Sequence, residues 1–526
     1  MPPPSGDESG TEPRLTSSPP PNPAAYGDLN VTQRPSKRRL PGGMGLVHEM
    51  QVWAFTAVIL SVWWATEWSW NGGSGAAAST SEAFRNYVAN SMLVHDEYTQ
   101  KGYDGPGFMK WMLELEAIPG DVHDAFMAVE EEGYSSDSLQ LDLALVSLRF
   151  SQDKKDDTGE WKEIALEALE SVSEKGRKEP TYHYVKGAVD GTPLTEGERN
   201  EFEQYLREQP VDWWKGFLAA QHQLPDLVDQ EALQRAQQGA MGDIVFAAVI
   251  LVDLTLLGLL AIPAAWMALS RPRLKQPASH RRLYRLWPGP RVVSTFALAA
   301  LAALWLNHQV FALLYPWVAA MIGAMVDEYS AWQTNTWIWL GWATAMAALP
   351  LLPLCRTYAP GFSRLAEVFG FRNRDFASLS FFGLGVTSMG LLPWLFHFVD
   401  AGLASLGSTS SVLDGLSRSF SDQGELALPL GIFWSVIMAP FVEEIIFRGF
   451  IFRSVQARWG TLVGMLISSF VFAGSHFYSV NGTIHVFLYG LLFCWVYQRT
   501  GKLAASMFVH AGSNLAVTLL SHFSGG

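Results

Sequence analysis

The sequence predicts an all-α protein, a polytopic membrane bundle of about nine spans with an α-helical soluble insert between the first two. Three observations carry this expectation. Beyond residue 240 apolar stretches follow one another closely, near 243–269, 292–326, 336–355, 376–404, 427–450, 461–479, 482–498 and 502–523, and MQVWAFTAVILSVWWATEWSW (50–70) adds one more of bilayer-spanning length. Charge is just as unevenly spread: residues 71–240 hold 32 acidic and 15 basic side chains, a net of −17, while the rest of the chain is mildly basic. Basic and acidic loops also alternate along the chain, as an odd number of spans requires under the positive-inside rule.

Taken in order, residues 1–45 are rich in Pro, Ser and Gly and poor in large apolar side chains, which predicts a disordered tail. The tail ends in a basic cluster, RPSKRRLPGG, which places it on the cytoplasmic side. The first span, 46–70, follows without a small-residue cleavage site and reads as an uncleaved anchor. Residues 71–240 form the acidic insert, expected on the outer side. DLALVSLRF (142–150) and WKEIALEALESV (161–172) carry apolar residues at helical spacing, with no fixed repeat period. Spans two to four and their loops occupy 241–375. There SRPRLKQPASHRRLYRLWPGPR (270–291) and RTYAPGFSRLAEVFGFRNRD (356–375) are basic and inside, and DEYSAWQTN (327–335) is acidic and outside. The last spans fill 376–526. The expected location is a plasma or inner membrane, crossed many times, with the lipid bilayer as the first partner. An acidic insert argues against nucleic acid as another. Cys355 and Cys494, the only cysteines, both sit in apolar stretches with no metal or redox spacing.

Function is sought where ionisable residues interrupt the apolar runs, because such residues are costly in a membrane. In FVEEIIFRG (441–449), Glu444 and Arg448 are four apart and share a helical face, while Glu443 is rotated by roughly 100°. Glu444 is expected to neutralise Arg448 and leave Glu443 for chemistry. Pro440 removes a backbone hydrogen bond just before them. FVFAGSHFY places Phe472 and His476 on one face, and SMFVHAGSNLAV does the same for His510 and Asn514 beside small residues. Each constellation alone also reads as packing. Together they supply a carboxylate that can take a proton from water, imidazoles that can hold water or a metal, and an imidazole and amide that can stabilise an oxyanion. That set fits peptide hydrolysis without a covalent intermediate. No GxSxG, HExxH or P-loop pattern competes with it.

EEIIFR (443–448), FAGSH (472–476) and HAGSN (510–514) resemble the EExxxR, FxxxH and HxxxN/D motifs of the CPBP intramembrane proteases, which include the type II CAAX prenyl endopeptidases and bacteriocin-immunity relatives. The resemblance covers roughly 376–523 and implies a helical bundle around a substrate-admitting cavity. It implies that Glu443 activates water with His476, that His510 and Asn514 stabilise the oxyanion, and that Glu444 and Arg448 shape the site. Glu443, His476 and His510 could alternatively supply three zinc ligands, leaving a fourth position for water. The substrate expected is a membrane-associated peptide or protein. Nothing in the motifs accounts for the insert, which could bind a protein partner. The rival readings are a non-catalytic scaffold, immunity factor or sensor of the same fold, and a transporter, for which the sequence offers no inverted repeat.

Overall fold

The computed structural model describes residues 46–71, 75–101, 118–131, 136–153, 159–208, 213–271, 289–326, 334–358 in part, 369–370, 373–376, 378–404, 429, 431–476, 478 and 480–523. Among these residues there are helices and turns and no strand. The tail 1–45, and most of the loops on which the expected orientation rests, lie outside the described residues.

Helix α1 (Leu46–Asn71) is the first apolar helix. Seven helices of the insert follow: α2 (Gly75–Lys101), α3 (Ile118–Glu131), α4 (Asp137–Ser151), α5 (Glu160–Ser171), α6 (Pro180–Asp190), α7 (Glu196–Glu208) and α8 (Trp213–Gln221). Their starts are written locally. Ser136 accepts a hydrogen bond from the Leu139 N–H at the head of α4, and Pro180 opens α6 where no N–H is needed. Phe84, Val88, Met92, Phe126, Phe150 and Trp213 centre an apolar core on this side of the molecule.

Asp229 then caps α9, which runs unbroken from Gln230 to Ser270. The division drawn at residue 240 therefore falls inside a helix of 41 residues. The insert and the second span share one rod, because QEALQRAQQGAMGD favours helix as strongly as the apolar run after it does. The remaining helices are α10 (Gly289–Leu306), extended by a π-helical turn into α11 (Ala312–Gly323), then α12 (Leu351–Tyr358) and α13 (Leu379–Ala404). The composite α14 joins Ile432–Met438, Ala439–Glu443, Glu444–Phe452 and Arg453–Trp459 end to end. Last come α15 (Thr461–Gly474), α16 (Val480–Thr500) and α17 (Leu503–Phe523). Gly460 and Gly501 turn the chain between these helices at φ of +89° and +69°, a region that favours glycine.

Five described helices are long and apolar enough to cross a bilayer: Gln230–Ser270, Gly289–Leu306, Leu379–Asp400, Val480–Thr500 and Leu503–Leu520. Met50–Val62, Leu313–Gly323 and Thr461–Gly474 are shorter apolar helices. Every predicted span overlaps described helix, that of 336–355 only in part. Leu260 and Trp317, each 79% exposed, and Trp266, 70% exposed, turn outward from α9 and α11, as side chains facing lipid would. The protein is an integral membrane protein of all-α architecture.

Close packing fixes the helices that carry the candidate site. Helix α13 lies against both α9 and α17. A Cβ on Gly390 would stand 2.2 Å from the Leu254 carbonyl oxygen, and one on Gly512 would stand 2.1 Å from that of Gly385. Backbones touch at both crossings, as small residues in membrane helices allow. The Ser388 hydroxyl, which lies 2.7 Å from the Gly385 carbonyl and 3.0 Å from the Val509 carbonyl, ties α13 to α17 one residue before His510.

Candidate active site

The site begins with the irregular backbone of α14. Over Ile432–Met438 the helix widens into π geometry, and the Ala439 N–H bonds the Trp434 carbonyl. The next carbonyl in that register, of Ser435, would look to residue 440, but Pro440 has no N–H. A side chain supplies the missing donor: Asn514 Nδ2 donates to the Ser435 carbonyl at 2.7 Å. The Ser435 hydroxyl lies 2.6 Å from the Gly431 carbonyl and 2.8 Å from the Thr518 hydroxyl. A second π segment, Glu444–Phe452, is buried throughout. Such segments recur at functional sites.

Glu444 and Arg448 are both fully buried, and Arg448 Nη1 lies 2.9 Å from Glu444 Oε1. The pair is close without being aligned as a hydrogen bond, and among the described residues all three guanidinium nitrogens are buried without an aligned acceptor. Aromatic faces complete the cation's surroundings, with the Phe472 and Phe493 ring centres 4.1 and 4.9 Å from the guanidinium carbon. Glu444 is better served. The Ser506 hydroxyl donates to Oε2 at 2.5 Å, and His510 Nδ1 approaches Oε1 at 3.0 Å. A carboxylate opposite Nδ1 sets the proton on that nitrogen and directs Nε2 away, toward Glu443 Oε2 at 3.7 Å. The His510 ring stacks on Phe493, with centres 4.6 Å apart.

Glu443, Glu444, Arg448 and His510 thus meet where α14 faces α17. His476 stands just beyond the last turn of α15, half-buried, and its Nδ1 donates to the Phe472 carbonyl at 2.8 Å. The Phe472 ring lies 4.7 Å from the His476 ring and 5.9 Å from that of His510. Both histidines therefore have Nδ1 engaged by an acceptor. Asn514, one turn beyond His510, is held by Ser435. Among the described residues no group of three or more His, Cys, Asp or Glu side chains stands out as a ready-made metal site. Cys494 is buried beside this centre and Cys355 is partly buried.

Sequence reasoning did not find Ser506, Phe493, Ser435 or Thr518, nor the contact between Glu444 and His510. One signal was available. Ser506, His510, Asn514 and Thr518 recur every fourth residue on the mostly apolar α17, a polar stripe on one face.

Residues 425–516, which contain all six residues singled out from the three motifs, match the family described as type II CAAX prenyl endopeptidase Rce1-like. The match falls on α14, α15, α16 and most of α17, an Rce1-like region of the chain. A curated protein of Bacillus subtilis (strain 168), "Putative membrane peptidase YdiL", is 34% identical over 97 residues, which is 18% of this chain and 38% of that protein. The chain thus spans well under half the length of this relative. No solved structure matches the chain. The matched family is one of prenyl endopeptidases, and the curated relative is described as a membrane peptidase.

Proposed function

We propose that the Rce1-like region is an intramembrane endopeptidase that hydrolyses a peptide bond near the membrane, using water activated by Glu443 and His476. The observation that carries the reading is the buried Glu444–His510 contact at 3.0 Å, which directs His510 Nε2 at Glu443. A structural ion pair between Glu444 and Arg448 would not require it.

In the proposed reaction Glu443 takes a proton from water, and the oxygen bonds to the substrate carbonyl carbon. His476, anchored through Nδ1, offers Nε2 to orient that water. The carbonyl oxygen becomes an oxyanion and accepts hydrogen bonds from His510 Nε2–H and an Asn514 N–H. For this His510 carries both ring protons, with Glu444 as counter-charge. Collapse breaks the C–N bond, and the leaving amine takes its proton from Glu443. Glu444 serves two partners, opposite Arg448 and behind His510. No step is routed through zinc.

The proposed substrate is a membrane-associated peptide or protein. The proposed orientation has the N-terminus cytoplasmic and 71–240 outside, where the insert would engage a protein partner. The test is twofold. Protein in lipid vesicles is assayed against a fluorogenic prenylated peptide, and host membranes are compared by N-terminal proteomics with and without Glu443→Ala. Cleavage abolished by Glu443→Ala and His476→Ala is expected. Unchanged peptide termini in both variants would sink the proposal in favour of a scaffold.

A further inference from the structure

We infer that Pro440 and the Ser435 carbonyl form a positioning device for Asn514, in which a helix defect on α14 sets the orientation of an amide on α17. The inference rests on the hydrolase reading and deepens it.

The Ala439 N–H is committed to the Trp434 carbonyl and residue 440 is proline, so the helix offers the Ser435 carbonyl no donor. The contact is half-buried in an apolar membrane helix, where lipid offers no hydrogen bonds, so a carbonyl without a donor is costly and a strong acceptor for whatever side chain faces it. Asn514 faces it at 2.7 Å. A primary amide has two chemically different ends, and only its NH2 end can approach a carbonyl. The contact therefore decides which way the amide is turned. One N–H is fixed on Ser435, and the second is carried in a known direction from the same nitrogen. An oxyanion donor needs this property, because its value depends on being aimed before charge develops.

Thr518 adds a second tie one turn further along α17, bonding the Ser435 hydroxyl at 2.8 Å. Ser435 thus touches α17 at two positions four apart, which pins the register of the two helices. The hydroxyl sets register and the carbonyl sets the amide. Neither Ser435 nor Pro440 touches the reacting atoms in this scheme, so both are positioning residues acting through Asn514.

The test is a double-mutant cycle between residues 440 and 514 on the full chain in nanodiscs, read by thermal unfolding and by cleavage of the fluorogenic prenylated peptide. Pro440→Ala gives the helix an N–H that can bond the Ser435 carbonyl and release Asn514. Its kcat is expected to fall by up to the ~100-fold that loss of one oxyanion donor costs, with KM unchanged and Tm unchanged or raised. Asn514→Ala is expected to lower Tm in the wild-type background, where it strands the carbonyl, and to lower it far less in the Pro440→Ala background. Equal Tm losses in both backgrounds, or a kcat for Pro440→Ala equal to wild type, would overturn the device. If no protein cleaves the peptide, wild type included, the hydrolase reading fails for that substrate class, and the Tm cycle still decides whether Pro440 acts on Asn514.

Discussion

Replacing the Glu444–Arg448 pair separates what stabilises this domain from what equips it for chemistry. Both side chains are wholly buried, and among the described residues Arg448 has no aligned hydrogen-bond acceptor. Glu444→Gln keeps the shape but strands a buried cation, a change expected to cost about 3–5 kcal/mol. The two aromatic faces on Arg448, worth about 2 kcal/mol when desolvated, hold the loss toward the lower figure. Arg448→Met leaves Glu444 with donors from Ser506 and His510, so its cost is also expected at the lower end. The pair replaced together by Glu444→Leu and Arg448→Met removes both of these charges, leaving only His510 and Ser506 without their Glu444 acceptor. Such replacements are neutral or stabilising by about 1–4 kcal/mol in other proteins. Cleavage is expected to behave differently. Without Glu444, nothing in this arrangement fixes the proton on His510 Nδ1, so both Glu444→Gln and the double variant should lose activity together. Unfolding in detergent gives the first quantity and peptide cleavage the second. An active, stable double variant would refute the assignment of His510 to Glu444.

Three further outcomes follow from particular contacts. Gly512→Ala places a methyl 2.1 Å from the Gly385 carbonyl oxygen, so α13 and α17 must part by about 1 Å; a cost of about 1–3 kcal/mol is expected in thermal unfolding, while Gly323→Ala, with nothing within 4 Å, should be silent. Ser506→Ala removes a hydrogen bond to a buried carboxylate and should cost about 1.5–3 kcal/mol in the same measurement. In the insert, burial alone would raise Asp153, but hydrogen bonds from His95 and Arg149 outweigh it and hold the carboxyl below its ordinary range. A carboxyl lowered in the folded state contributes stability that is complete above its unfolded value and lost as pH falls through the folded one. Hydrogen-exchange protection across α2 and α4, taken relative to the intrinsic exchange rate at each pH, should therefore fall below about pH 4 in wild type, and Asp153→Asn should flatten that dependence.

Local spacing made the helices and the Glu444–Arg448 contact legible, because both depend on residues within one or two turns. Each apolar stretch marked a helix for the same reason. The continuity of α9 was not legible from hydropathy, which changes sharply near residue 243 while helix propensity does not. The widened turns of α14 were hidden as well. Pro440 announces that a donor is missing, but only the folded register shows that Ser435 is left exposed to the loss and that α17 supplies the replacement. Contacts between Glu444 and His510, 66 residues apart, have no signature in either segment alone.

The polar stripe on α17 joins these levels. Ser506 reaches Glu444, His510 faces both glutamates, Asn514 meets the Ser435 carbonyl, and Thr518 meets the Ser435 hydroxyl. Four side chains at successive turns therefore engage α14 between Ser435 and Glu444. A helix whose only task was packing would present apolar or small residues along such a seam, since each buried polar group needs its own partner. Here every polar residue of the stripe has one, and the partners are the carboxylate pair, the Ser435 hydroxyl and the carbonyl left by Pro440. The defect in α14 and the stripe on α17 are complementary, and either would be costly without the other.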